Sequence, residues 1–266
     1  MKASEVFVLI SIIVFIFSLA YITSLGGLGQ LPPVNVRVLA QRYLELTWNP
    51  LKPFMSSSGY ESVTAIVWDF RGLDTFFETA VFYGAIIAAI AIYRGVKITG
   101  KGKTIGMSPI ARTITRLSIV LIPTVAASIA LHGHLTPGGG FQAGSVATVV
   151  AVLIIMVFGR KAIIRKGLTK SRILLLRSLG LLGIGFTAVA LLLAAIALGV
   201  NAYIFQNQPK PFAPLGFPKI YDGMILGGSL LLFNFFEFIA VTAGFTLVLL
   251  LLSLDEKDVR RVVVEK

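Results

Sequence analysis

LHGHLTPGGGFQAGS, residues 131–145, lies between two strongly apolar runs, approximately 113–133 and 139–159. A polar, glycine-rich turn with two histidines is costly at the edge of a bilayer and persists only where protein or water satisfies its backbone. Each flanking run is long enough to cross a membrane, which takes roughly 20 apolar residues. The stretch therefore reads as the tight connection of a membrane hairpin. Four further runs of that kind lie at about 5–25, 75–94, 178–200 and 224–252. The last is long enough to tilt, or to begin as a Gly-rich lead-in around Gly227 and Gly228. The first exceeds the usual 7–15 residues of a signal-peptide apolar core, and it reads as a membrane helix. With 56% hydrophobic and 14% charged residues and a mean hydropathy of +0.88, the 266-residue chain is far from the composition of a soluble domain. The expected fold is all-α: an integral membrane helical bundle with about six transmembrane helices, multi-pass in the cell membrane.

The net charge of +12 invites a nucleic-acid reading, but its placement argues for topology. Arg94, Lys97, Lys101, Lys103, Arg112 and Arg116 fill one short connection, and Arg160, Lys161, Arg165, Lys166, Lys170, Arg172 and Arg177 fill another. With Lys2, Lys257, Arg260, Arg261 and Lys266, they place three quarters of the basic residues on one side of a six-helix topology. The positive-inside rule then sets both termini in the cytoplasm. Basic segments beside a membrane meet lipid headgroups, and no aromatic stacking platform for nucleic acid accompanies them. The expected contact is the lipid bilayer, and no nucleic-acid partner is expected.

Between the first two runs, Gly26, Gly27, Gly29, Pro32 and Pro33 break the helix. Val36, Leu39, Tyr43 and Leu44 then recur at helical spacing, predicting a short amphipathic surface helix, with an alternating strand over Val34–Val38 as the lesser alternative. The basic, Gly-rich stretch 95–112 marks a boundary between a two-helix segment, 1–105, and a four-helix segment, 106–266. Small-residue spacings at Gly140, Gly144, Ala147 and Thr148, and at Gly180, Gly183 and Gly185, predict close helix contacts. Pro123 should bend its helix.

Charged groups inside the apolar runs are few. Glu237 lies near the middle of the last run and Glu78 near the start of the second. A central carboxylate costs about 2.5–3.5 kcal/mol on insertion scales, so it should face protein or water. Two readings stand for Glu237: a proton or cation relay, or a protonated side chain bonded to a neighbouring helix. Asn234 shares its helical face. Asp74 and Glu78, one turn apart, form a carboxylate step from the surface inward. Asp69 and Arg71 read as an interfacial ion pair, and Trp68 as part of the aromatic belt.

His132 and His134 are the only histidines. Their spacing suits neither one helix face nor a pair of axial haem ligands, and no cysteine exists to complete a metal set. Either they titrate and pass protons through water, or they hold the turn by hydrogen bonds. Pro137, Gly138, Gly139, Gly140 and Phe141 end the turn and start the next helix, whose free amides can receive an anion or carboxylate. No nucleotide loop, nucleophile elbow or paired thiols are present. No catalytic residue, metal or cofactor is expected in this chain.

LHGHLTPGGGFQAGS closely resembles the signature of the MrpB/MnhB subunit of multisubunit Na+/H+ antiporters and of the related MbhF-type subunit of archaeal membrane-bound hydrogenase complexes. That family has four helices with this turn between the first two, a plan that residues 113–252 fit. Ala240 stands where many members carry a lysine, and Glu237 is an added carboxylate, so no ion-path lysine carries over. The stretch YESVTAIVWDFRGLDTFFETAVFYGA is similar to the C-terminal region of MrpA and to MbhE, matched by Val63, Thr64, Ala65, Ile66, Asp69, Phe70, Arg71, Gly72, Asp74, Thr75 and Glu78. The resemblance covers roughly residues 5–94 and 106–252. It implies a fusion of two subunits and a role in an Mrp-type module that moves Na+ and H+. The implied partners are other antiporter subunits or, as the alternative, the redox arm of a hydrogenase or sulfur reductase. Among the relay candidates Glu78, Asp74, Glu237, His134 and His132, the resemblance points first to Glu78.

Overall fold

A computed structural model describes residues 3–27, 36–52, 54–96, 107–256 and 259–260. Six helices among them are long and apolar enough to cross a membrane. They are α1 (Ala3–Ser24), α4 (Gly72–Ile92), α5 (Pro109–His132), α6 (Gly140–Phe158), α8 (Lys170–Leu198) and α9 (Ser229–Leu252). Shorter helices α2 (Val38–Thr47), α3 (Ser62–Ala65) and α7 (Arg160–Arg165) connect them. The chain is an integral, multi-pass membrane protein of all-α class. The only strands among the described residues form a two-residue ladder, β1 (Ile220–Tyr221) against β2 (Met224–Ile225).

Two compact units are present, Met1–Arg42 and Tyr43–Lys266. In the first, α1 exposes every one of its described side chains. It carries no charge between Val6 and Ser24, as suits a helix facing lipid or neighbouring subunits. The amphipathic helix expected near 36–44 is α2, and residues 36–38, the described part of the strand alternative, form no strand; Val34 lies outside the described residues. Most of the basic connection, residues 97–106, lies outside the described residues.

In the second unit α9 is the central element, packed against α8, α6, α5 and α4. Half of its membrane-length window is buried, more than in any other spanning helix. Its sequence is apolar all round, which is the pattern of a core helix. Small residues admit the neighbours, as the spacing predicted: a Cβ added at Gly144 would meet the Val241 Cβ at 2.6 Å, and one at Gly180 the Ala240 nitrogen at 2.7 Å. Gly183 faces the Phe236 ring, but a Cβ added at Gly185 would meet nothing within 4 Å among the described residues. Ala240, at the position where a lysine was looked for, is buried against Gly180. Pro123 sits within a continuous α5.

The last apolar run splits in a way its hydropathy does not show. Residues 224–225 belong to the hairpin, turned by Asp222 (φ 48°) and Gly223 (φ 75°), and the helix starts only at Ser229. Gly227 and Gly228, at φ 64° and 63°, make the corner. Gly228 also admits Asn207, whose Oδ1 accepts the Ser229 amide at 2.8 Å and would collide with any added Cβ. The second basic connection is largely helical: Arg160–Arg165 form α7, and Lys170, Arg172 and Arg177 lie in α8.

Candidate functional site

At the end where α5 turns into α6, the amides that open α6 point at α9. Asn234 Oδ1 accepts the Gly140 N–H at 3.3 Å, and the Glu237 carboxylate accepts the backbone N–H of Phe141. The first N–H groups of a helix have no partner within the helix. Here two side chains one turn apart on a neighbouring helix supply the acceptors, and a carboxylate also suits the positive end of the helix dipole. Of the two amides, that of Phe141 meets a carboxylate, the chain's own Glu237.

The contact needs glycine. A Cβ at Gly140 would lie 2.6 Å from the Glu237 Cβ and 2.7 Å from its Oε2, and closer still to the Asn234 carbonyl oxygen. Glu237 is 7% exposed and Asn234 1% exposed. Trp68 completes the carboxylate's surroundings, donating its indole N–H to Oε2 at 3.3 Å. It is 1% exposed and stacks on Phe233 with ring centroids 4.5 Å apart. The aromatic-belt reading of Trp68 is therefore corrected: its ring serves the core and its polar edge serves the acid. Trp68 lies in a π-helical turn, Ile66–Phe70, between α3 and α4; such turns are rare and recur at functional sites.

The turn itself is held from three sides. Thr64 Oγ1 donates to the Gly133 carbonyl at 2.7 Å and reaches that of Gly138 at 3.3 Å. The amides of Tyr60 and Glu61 both donate to the His134 carbonyl, at 2.8 and 3.1 Å. His134, 2% exposed, donates from Nε2 to the Ile225 carbonyl of the hairpin at 2.8 Å. Burial lowers its pKa, with the Ile225 hydrogen bond opposing, so the ring is neutral near physiological pH. His132 is different: it is exposed, and Nδ1 donates to the Ser128 carbonyl one turn back in α5 at 2.9 Å. Pro137 and Phe141 are exposed, while Gly139 and Gly140 are buried.

Of the carboxylate step, Glu78 is near enough to Glu237 for their charges to repel. Asp74 and Glu78 are both exposed on α4. The interfacial pair also differs from expectation: Arg71 binds Asp74 at 2.6 Å rather than Asp69, since the start of α4 brings i and i+3 together. Asp69 instead lines a cavity of about 210 Å³ with Lys210, Gln206 and Phe205. Burial there raises its pKa from 3.8 to about 6, with Lys210 opposing.

Sequence reasoning passed over the 199–228 connection. Asn207, 1% exposed, donates to the Ser57 carbonyl at 2.7 Å and accepts from Ser229; Gln206 binds the carbonyls of Ala213 and Leu215. The Asp222–Gly223 pair between short apolar stretches was a readable hairpin signal. Among the described residues no cluster of three or more metal-binding side chains occurs.

Comparison with known proteins meets the same residues. An uncharacterized protein of Methanocaldococcus jannaschii is 25% identical over 227 residues, 77% of this chain and 79% of that protein. A chain of the membrane-bound sulfane sulfur reductase, an archaeal respiratory membrane complex, superposes with a TM-score of 0.66 at 24% identity, covering 95% of this chain and 99% of its own. A chain of the Mrp complex from a Dietzia species superposes with a TM-score of 0.57 at 15% identity over 97% of this chain and 27% of its own. At such identities both likenesses show the fold. Residues 110–247, just over half of the chain and including the whole α5–α6 turn with Asn234 and Glu237, match the model of the domain related to the MnhB subunit of Na+/H+ antiporters, and the chain belongs to that family.

Proposed function

We propose that this chain is a membrane subunit of an Mrp-type cation/proton antiporter module, and that Glu237 is the group through which it takes part in moving Na+ and H+. One observation carries the reading. The buried carboxyl group is shared between the MnhB-type segment and the segment before it, through Phe141 on one side and Trp68 on the other. A carboxylate so placed is expensive in a membrane, and the two donors aimed at it make its ionised form tolerable. Family membership and the likeness in fold to an Mrp complex support the module. The two-part division at 105/106, the cytoplasmic setting of both termini and the antiporter subunits as partners belong to the same proposal. In it the exposed Asp74 and Glu78 face a neighbouring subunit and carry the step onward, with His132 at the mouth of the turn.

The test is transport in vesicles holding the assembled complex, with Glu237→Gln and Glu78→Gln. Glutamine keeps the shape of Glu237 and an oxygen for Trp68 while removing the charge. The expected result is normal assembly with Na+-driven proton movement down on the order of a hundredfold. Full transport by the assembled Glu237→Gln complex refutes the role.

A second reading, the membrane arm of a redox complex, is favoured by the end-to-end match in length with the sulfane sulfur reductase chain. Purification of the complex discriminates: co-purifying iron–sulfur subunits support it, and antiporter subunits alone exclude it.

A further inference from the structure

Four buried polar atoms next to this site have no hydrogen-bond partner among the described residues: Gln208 Oε1, Ser229 Oγ, His134 Nδ1 and Asn234 Nδ2. Their residues are 0%, 2%, 2% and 1% exposed. A native interior leaves few such atoms, and each calls for a bound species or a physical reason. These four are not scattered. Gln208 Nε2 lies 2.8 Å from where a Cβ on Gly228 would stand, beside Ser229, and the His134 ring closes on Gly227 at 2.8 Å by the same measure. Asn234 Nδ2 is 2.8 Å from the corresponding point on Gly133, the residue before His134. Their residues thus neighbour Gly133, Gly227 and Gly228 at the loop end of α9, and Asn234 lies one turn from Glu237. From Ser229 to Glu237 is eight residues, or about 12 Å of helix.

The orientation of each amide is set by its other contacts. Asn234 must turn Oδ1 to the Gly140 N–H, leaving Nδ2 inward. Asn207 uses Nδ2 on the Ser57 carbonyl and Oδ1 on the Ser229 N–H, so Gln208 offers it Nε2 and keeps Oε1 free. His134 gives Nε2–H to Ile225, leaving an Nδ1 lone pair. The free set is thus two acceptors, one donor and one hydroxyl that does either. A bare cation is opposed by the Asn234 N–H, and an anion by the Gln208 carbonyl and the imidazole lone pair. Water, which donates and accepts, satisfies all four. A surface cavity of about 530 Å³ has His134 in its wall, with Tyr60, His132 and the hairpin around it.

We propose that a short file of bound water molecules runs from Gln208 and Ser229 past His134 and Asn234, and hydrates Glu237 from the loop end of α9. It supplies the hydrated approach that the role proposed for Glu237 requires and in that respect rests on it, but hydration is read separately from transport. The assembled complex is exposed to brief X-ray radiolysis in heavy-oxygen water, and label is measured at each side chain by mass spectrometry. The expected result is label at buried His134 several-fold above that at equally buried Ile184, falling towards the Ile184 level in Ser229→Ala and Gln208→Met. A density map that resolves bound water should show peaks within hydrogen-bond distance of the four atoms. His134 labelled no faster than Ile184, together with a map lacking such peaks, overturns the proposal even if Glu237→Gln abolishes transport. A wet path with Glu237→Gln fully active supports the file and removes only the transport role.

Discussion

Replacing Gly140 by alanine tests the central contact most directly. The added methyl carbon would meet the Glu237 Cβ at 2.6 Å, its Oε2 at 2.7 Å and the Asn234 carbonyl oxygen at shorter range still. The last is backbone of α9, so it cannot swing aside as a side chain does; α6 and α9 must separate. Overpacking of this kind costs about 1–3 kcal/mol, against a gain of up to about 1 kcal/mol from alanine's helix propensity. Gly185→Ala is the internal control, because nothing lies within 4 Å of its added carbon and only the propensity gain remains. The propensity gain is common to both, so the two variants should differ by about 1–3 kcal/mol, roughly several degrees in unfolding temperature for a chain of this size. The chain has no cysteine, so the thiol-dye signal that a single Ile184→Cys adds to that of the complex without it reports unfolding of this subunit. The Gly140→Ala complex should melt well below the Gly185→Ala complex and lose transport, because Glu237 is pushed off Phe141 and Trp68. Equal melting temperatures would show that α6 and α9 are not held this close, and the site as described would fall.

Three further outcomes are expected. Thr64→Val leaves the Gly133 carbonyl without its 2.7 Å donor; a loss of about 1–3 kcal/mol in complex stability is expected, and unchanged melting contradicts the pinning of the turn. Asp69, with a folded pKa of about 6 against an ordinary 3.8, binds more protons folded than unfolded between those values. Its contribution is greatest below the lower value and is lost as pH rises through the upper one. Asp69→Asn should thus match the native complex near pH 4 and exceed it in thermal stability above pH 7; equal curves at every pH refute the burial of that carboxylate. His134→Ala should weaken assembly or activity by removing the Ile225 contact while His132→Ala leaves stability unchanged, because the His132 ring is exposed and its bond is to the Ser128 carbonyl of its own helix. Indistinguishable variants would erase that contrast.

The parts legible in the sequence are those set by local pattern. Six apolar runs and a glycine-rich turn between two of them specify spanning helices, because backbone satisfaction in lipid admits little else. The small residues at Gly140, Gly144 and Gly180 announce close packing, but not on which helix; Gly185, in the same spacing, meets no neighbour among the described residues. Glu237 stood out as a rare charge. Its partners did not, since Trp68 and Phe141 lie far away along the chain and no period links them. Trp68 looked like a membrane-edge residue because an indole beside charged neighbours at a helix start fits that role. The buried acid wins because it needs a donor, and the π-helical turn aims one at it. The 199–228 connection lacked hydropathy signal, and its meaning lies in buried amides that long-range contacts orient.

The position of Glu237 also explains why the turn is built as it is. A helix that begins inside protein must have its leading amides met, and an N-cap side chain from its own turn ordinarily does this. Here Gly138, Gly139 and Gly140 carry no side chain to cap with. The task passes to Asn234 and Glu237 on another helix, and the absence of side chains is what lets that helix come near enough. The same arrangement makes the acid responsive, because its charge is coupled to the seating of α6. An ionised Glu237 holds the Phe141 amide more strongly than a neutral one, so a change in its charge alters the grip between α6 and α9. A Glu237→Gln complex should consequently show faster amide exchange at Phe141 than the native complex, with Gly144 and Val241, farther along the same interface, changed little. Equal exchange at Phe141 would mean that the charge and the helix contact are independent.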